Sequence, residues 1–319
     1  FRRVLFRSDH AGNWRLCLDP DRPAPEAWPL ARLDPAQAQA LVHLVETIAT
    51  GLLSWWTQGH AAWQLGAPEQ WHLVERRLRR AVRNLLLASL DQRAIPDGLE
   101  TAAPEAGGGL RRYPALLEFT FDSRRADAAR PSLELVDPRD HTRRVRVHGK
   151  VDRVDLLFDA ASGQLVAAVV MDYKASLRER DRPSKLARAI AQAHDCQLPA
   201  YGLAARAALA GGAADRAPFT TCMQYVAYTA PREELVSQMK QTWLTLEGQP
   251  LTQEELAELC GGETSLLAAF TARVLAAVER FARGEFAVTP EACQYCAAAA
   301  CCRYAVGGLP AEAAEEAAP

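Results

Sequence analysis

The chain has 319 residues, 49% of them hydrophobic, and 37 Lys and Arg against 39 Asp and Glu give it a formal net charge of -2. That length and apolar share suffice for one substantial core with a helical appendage and exclude global disorder. The near-neutral balance excludes a chain-wide polycation while leaving room for local basic faces, and no apolar run reaches the length of a membrane span.

The sequence begins "FRRVLFRS" ahead of "DHAGNW", without an initiator methionine. Residues 1–8 read as adapter-derived and are set aside, so the chain is expected to be a fragment lacking an upstream part. No signal-peptide pattern opens it, and the cytoplasm is the default compartment. Residues 9–91 read as a helical region. Pro35 follows Asp34 as at a helix start, and Leu41, Leu44, Val45, Ile48, Leu52 and Trp55 share one side of a stretch reaching Gln58. A second helix is expected from Pro68 to about Leu90, with Trp71, Val74, Leu78, Val82 and Leu85 as its apolar side. Arg76, Arg79, Arg80 and Arg83 cluster elsewhere on it, which favours a solvated basic face over a phosphate-contacting one. Pro, Gly and Ala then dominate from Asp91 to Gly109, and residues 92–112 read as a linker.

Beyond it the period changes to that of strands. Tyr113 to Phe121, Ser132 to Val136, Val145 to Phe158 and Leu165 to Tyr173 are expected strands, with "DAASGQ" a turn between the last two. "RVRVHGKVDRVD" alternates in twos, so one face of that strand meets the core and the other carries charge. "RPSKLARAIAQAHDCQLPAYGLAARAAL" then reads as helix, "TTCMQYVAYT" as strand, and Ser265 to Phe281 as an amphipathic helix. The fold class is therefore α/β: a mixed sheet over residues 113–288 with helices before and after it. Residues 306–319, acidic and without apolar period, read as a disordered tail.

Two carboxylates stand out. Asp152 in "GKVDRVD" and Asp172 in "VVMDYKAS" lie on strands joined by a short turn, so adjacent antiparallel pairing brings them together. Such a pair repels unless a cation lies between, and an oxygen-only site suits Mg²⁺ or Mn²⁺. Lys174 shares a strand face with Asp172, where its ammonium can orient a water and neutralise charge developing on a phosphate. A salt bridge at a strand end is the plain alternative for this pair.

"GKVDRVD", "VVMDYKAS" and "QLPAYGLAA", in that order, resemble the PD-(D/E)XK nuclease superfamily, and more specifically the nuclease domain of AddB/RecB-type helicase-nucleases. The resemblance implies a restriction-endonuclease-like core in which Asp152 and Asp172 are metal-binding acids and Lys174 is the catalytic lysine. It also implies that the Tyr173 carbonyl is a metal ligand and that Gln197 and Tyr201 position DNA and the active site. Glu118 in "LLEFTF" resembles an acid that often precedes the first Asp, or is a polar residue of the solvent face, while Asp155 reads as an outer or surface acid. The family places a metal-joining histidine on an upstream helix, where His43 is the nearest candidate, although the glycine that usually precedes it is absent.

Residues 289–305 hold "EACQYCAAAACCR", where Cys293, Cys296 and Cys302 follow C-x2-C-x5-C and Cys301 offers another third ligand. Thiolates this dense point to a metal or cluster rather than to disulfides. The resemblance implies a 4Fe-4S cluster, with zinc as the alternative and the fourth ligand either Cys17 or upstream of the chain. Cys196, Cys222 and Cys260 read as small core hydrophobes. No G-x-x-x-x-G-K-[ST] loop is present, so translocation on DNA would come from elsewhere. The expected function is a metal-dependent DNA nuclease, of exonuclease type, in a helicase-nuclease for double-strand-break repair and recombination. Its partners would be DNA, chiefly single-stranded, and an AddA-type subunit, with no membrane. The alternative is a catalytically inactive DNA-binding or scaffold module of the same fold with a structural iron-sulfur or zinc site.

Overall fold

The computed structural model describes residues 68–89, 91, 93–99, 109–122, 133–137, 139–177, 181–210, 219–263 and 265–285, with shorter pieces at 6–8, 14–16 and at positions 40, 43, 45, 47 and 51. Strands β1 (Phe6–Ser8) and β2 (Trp14–Leu16) precede helix α1 (Pro68–Ser89). Then come β3 (Leu110–Asp122), β4 (Leu133–Val136), β5 (Arg144–Asp159) and β6 (Leu165–Lys174). Helices α2 (Pro183–Ala191) and α3 (Gln197–Ala210) lead to β7 (Thr220–Ala227), followed by α4 (Arg232–Gln241), β8 (Leu244–Thr245), α5 (Gln253–Cys260) and α6 (Leu266–Ala282).

The sheet runs β1-β2-β3-β5-β6-β7-β8, with β4 pairing β5 beside this path. Only β6 and β7 pair in parallel within that order, and every other pairing is antiparallel. The mixed α/β class expected from the sequence is the class observed. A parallel neighbour needs a crossover, and α2 and α3 supply it between β6 and β7.

Strand β6 is buried from Ala167 to Asp172, as a central strand covered on both faces should be. Its side chains divide by parity. Ala168 and Val170 join Val154, Leu156, Ala204 and Ala205 in one cluster, against α3. Ala167, Val169 and Met171 join Ala88 of α1 and Leu235, Val236 and Met239 of α4 in another. A third cluster packs Leu186 and Ile190 of α2 against Tyr225, Leu244, Leu266 and Phe270. Each such aliphatic side chain contributes roughly 1.5–3 kcal/mol by leaving water, so the strands are held from both sides.

Several expectations meet a different arrangement. The stretch read as one helix from Arg182 is two, broken at residues 192–196 where Ala193 takes φ 55. Residues 93–99, in the Pro- and Ala-rich stretch after α1, are packed rather than extended through solvent: Ala94, Ile95 and Leu99 are buried in the cluster with α4. Asp91 ties that corner by pairing with Arg93 at 2.6 Å and Arg232 at 2.9 Å, and hydrogen bonding from Arg93 holds its carboxyl down at about 2. On α1, Val74 is exposed and Ala81, Ala88 and Ser89 are the buried positions, because it is the C-terminal half of the helix that packs on α4. Arg76, Arg80 and Arg83 are exposed, and Arg79 pairs with Glu75. The N-terminal strands and helices α4 and α5 were not anticipated.

Most of the expected helix at 35–58 lies outside the described residues, as do the tail and the cysteine segment at 289–305. The chain divides into two compact units, 1–275 and 276–319, and of the second only 276–285 is described, a helical stretch with Val278 and Phe281 exposed. No helix among the described residues is long and apolar enough to cross a membrane.

Candidate active site

The β5–β6 ladder ends at the pair Arg153 and Met171, one residue short of Asp152 and Asp172. Backbone groups freed there need partners. The Asp152 carboxylate supplies one: its Oδ2 accepts from the Tyr173 backbone N–H at 2.9 Å. The Tyr173 peptide is thereby held against Asp152, at the place where its carbonyl was expected to serve a metal.

On β3, Glu118 falls between the residues paired with Val151 and Arg153, which is also where Asp152 sits on β5. It takes φ 52, a left-handed backbone unusual outside glycine. Its exposed side chain pairs with Lys150 rather than with either aspartate. This is the solvent-face outcome foreseen for it.

Asp172 is 3% exposed. Gln197 Nε2 donates to its Oδ1, and the Lys174 ammonium lies 2.6 Å from its Oδ2. Lys174 Nζ also donates to Gln197 Oε1 at 3.1 Å, and Gln197 Nε2 lies within hydrogen-bonding reach of the Tyr201 hydroxyl at 3.1 Å. One amide therefore reads both charges of the motif, with its oxygen toward the ammonium and its nitrogen toward the carboxylate. Gln197 and Tyr201 reach the site together because residues four apart share a helix face. Gly149 makes room for this: a Cβ there would lie 2.8 Å from the Phe121 ring and 3.4 Å from the Tyr201 ring. The Phe121 and Tyr201 rings meet edge to face at 6.1 Å. Truncation of Gln197 to alanine should lower kcat about 10- to 100-fold, the usual cost of removing a group that orients reacting ones, and should also lower the melting temperature, because it takes a donor from a buried carboxylate.

Burial holds the Asp172 carboxyl above its ordinary range; Lys174 opposes the rise, and the charges of Asp152 and Asp195 add to it. The Tyr201 hydroxyl is also pushed up, chiefly by burial, with Asp172 and Asp152 contributing. These couplings place Asp152, Asp172, Lys174 and Tyr201 within one electrostatic neighbourhood. Asp172 Oδ2 is buried and, despite the ion pair, receives no aligned hydrogen bond. Two repelling carboxylates with a buried, unsatisfied oxygen fit a hard divalent cation such as Mg²⁺ or Mn²⁺. Among the described residues no three His, Cys, Asp or Glu converge. Among the described residues the side chains that could serve such an ion are Asp152 and Asp172, and Mg²⁺ commonly takes its other positions from backbone, water or phosphate oxygens.

His43 stands exposed on a helical stretch and does not join the two aspartates in such a group. Cys293, Cys296, Cys302 and Cys17 lie outside the described residues. Of the cysteines read as core, Cys222 and Cys260 are buried, and burial pushes the Cys222 thiol up to about 12. Cys196 is exposed instead, because it sits in the turn between α2 and α3.

Of the two readings of Asp155, as an outer or a surface acid, the second is corrected. The residue is no surface acid: it is wholly buried on the opposite sheet face, between the guanidinium groups of Arg112 at 2.7 Å and Arg153 at 2.5 Å. Arg112 also donates to the Ala94 carbonyl, and Arg153 to Ser89 and to the Tyr173 hydroxyl at 3.3 Å. This buried triad stands beneath β5 and β6 and holds the side chain of the residue between Asp172 and Lys174. Sequence reasoning did not find Arg112, Arg153, Asp195 or Tyr225. The sign for the triad was there, in charged residues at inward positions of otherwise apolar strands.

No curated protein matches the chain. A sequence model of the PD-(D/E)XK nuclease superfamily matches residues 33–303, which takes in the whole sheet from β3 onward and every residue of the Asp152–Asp172–Lys174–Gln197–Tyr201 arrangement. By that match over most of its length, and with the mixed α/β fold consistent with it, the chain belongs to the PD-(D/E)XK nuclease superfamily.

Proposed function

We propose that the chain is a Mg²⁺- or Mn²⁺-dependent deoxyribonuclease of exonuclease type. It serves as the nuclease module of an AddB-like helicase-nuclease, acting on single strands delivered by an AddA-type partner in double-strand-break repair and recombination. The observation that carries the catalytic part is the convergence of Asp172, Lys174 and Gln197 within hydrogen-bonding distance beside Asp152.

When bound between Asp152 and Asp172, the cation would polarise the scissile phosphate and favour ionisation of a water. The residues do the rest. Lys174 presents a positive charge where negative charge grows on the phosphate, and Gln197 fixes its direction. Asp152, through the Tyr173 peptide, locks the end of β6 so that Asp172 and Lys174 keep their spacing. Its acids and ammonium would act on the phosphate backbone rather than on the base edges.

The finer assignment rests on the sequence resemblance. Cys293, Cys296 and Cys302 would ligate a 4Fe-4S cluster, with zinc the competing metal. Two measurements test the proposal. End-labelled single-stranded and duplex DNA should be degraded with Mg²⁺ or Mn²⁺ and spared with EDTA; absence of metal-dependent cleavage overturns the nuclease. Anaerobically purified protein should be brown and contain iron; colourless protein with stoichiometric zinc replaces the cluster by a zinc site.

A further inference from the structure

Two side chains outside the nuclease motif connect to Lys174, Tyr225 directly and Asp195 through Tyr225 and Gln197. Strand β7 runs parallel beside β6 with Tyr225 in register with Asp172. From there the Tyr225 ring, 5% exposed, faces the Lys174 ammonium, whose Nζ lies 4.7 Å from the ring centroid. The Tyr225 hydroxyl donates to Asp195 Oδ2. Asp195 Oδ1 accepts from the backbone N–H groups of Gln197 at 3.1 Å and Leu198 at 3.4 Å, the first two of α3. Helix-start N–H groups have no partners within the helix, and a carboxylate there fixes where the helix begins. Gln197 then returns to Lys174 at 3.1 Å. The circuit closes from ring to carboxylate, to helix start, to amide and back to the ammonium.

A lysine on four flexible methylenes keeps no single position through one ion pair. Here the aromatic face attracts the ammonium from one side while Asp172 and Gln197 hold it from the others. Asp195 couples the two supports, because the same carboxylate orients Tyr225 and starts the helix that carries Gln197. We propose that Tyr225 and Asp195 are positioning residues that hold Lys174 and Gln197 in register with Asp172. The consequence for rate rests on the nuclease reading, whereas the consequence for Lys174 itself does not.

The test uses the full chain and two readouts. Limiting acetic anhydride, with mass spectrometry of each lysine, reports the freedom of the Lys174 amine against exposed Lys185 as internal reference. Tyr225→Leu should raise Lys174 labelling about threefold, the loss of a partly desolvated cation–π contact, while Tyr225→Phe, which keeps the ring and loses the bond to Asp195, should fall between wild type and the leucine variant. In single-strand cleavage with Mg²⁺, Tyr225→Leu should lower kcat about tenfold with a smaller change in KM. Tyr225→Phe should recover part of that loss, and in a Lys174→Ala background Tyr225→Leu should cost nothing more. Should Tyr225→Leu not fold, Asp195→Ala, at a half-buried position, carries the same comparison with Asp195→Asn as its conservative partner. Lys174 labelling unchanged by loss of the ring, or a phenylalanine variant as impaired as the leucine one, overturns the proposal. If wild-type protein shows no metal-dependent cleavage, the nuclease reading falls and the labelling ratio still decides this one.

Discussion

Asp172→Asn and Lys174→Ala should each lower Mg²⁺-dependent DNA cleavage by roughly 100- to 1000-fold, the range seen when one preorganised charge or donor is removed from a reacting centre. The two should differ in stability. Asp172 is a buried carboxylate whose charged form is opposed by burial and by Asp152. Its neutral isostere removes that cost, so metal-free Asp172→Asn should melt at or above the wild-type temperature. Lys174→Ala instead leaves Asp172 without its ammonium and should melt lower. Thermal melts with and without Mg²⁺ separate the roles further: wild-type protein should gain stability from the ion and Asp172→Asn should not. Undiminished cleavage by both variants would overturn the assignment of the site.

The largest effect on the fold is expected from Asp155. Replacing it by alanine leaves Arg112 and Arg153 buried and uncompensated, with side-chain exposures of 1% and 5%. Breaking a buried ion pair from one side costs about 3–5 kcal/mol, which corresponds to a fall in melting temperature on the order of 10 °C. Burial alone would raise the Asp155 carboxyl, but the charges of Arg153 and Arg112 outweigh it and hold the group below 3.8. A carboxyl lowered in the fold gives stability that is present above its unfolded value and is lost as pH falls through the folded one. The deficit of Asp155→Ala should therefore be full at pH 7 and shrink on acidification below about pH 4. Converting all three residues together, Arg112→Met, Arg153→Leu and Asp155→Leu, should restore most of the stability, since apolar groups of similar volume replace such triads at little cost. A melting temperature unmoved by Asp155→Ala would show that the triad carries no net charge balance.

The site was legible where the chemistry is local in sequence. "GKVDRVD", "VVMDYKAS" and "QLPAY" place a carboxylate, a carboxylate with an ammonium, and an amide with a phenol on short segments. Strand and helix periods alone say which of those side chains share a face. The surface reading of Asp155 failed because alternation gives the parity of a residue and not what covers that face. In the fold, α1 and α4 cover it, and two arginines accompany the carboxylate inward.

Tyr225 and Asp195 were missed for a related reason, although the cap that Asp195 makes on Gln197 and Leu198 is local in sequence. In "TTCMQYVAYT" a tyrosine reads as an ordinary core aromatic, and in a helix drawn unbroken from Arg182 an aspartate at 195 reads as a solvent-facing residue. The break at residues 192–196 turns that aspartate into the start of α3, and the parallel pairing of β7 with β6 sets Tyr225 beside Asp172. Neither event is written in a local period, because crossover pairing and helix breaks are settled by what the rest of the chain can bury. The sequence by itself therefore determined the α/β class and the strands of the central sheet, since these depend on periods of two and 3.6 residues, and its motifs, through their resemblance to a known family, supplied the candidate reacting groups. Tertiary structure alone decided what stands around those groups: the triad beneath Tyr173, the ring against Lys174 and the Tyr225 hydroxyl on Asp195, each made by residues that meet only after the sheet has formed.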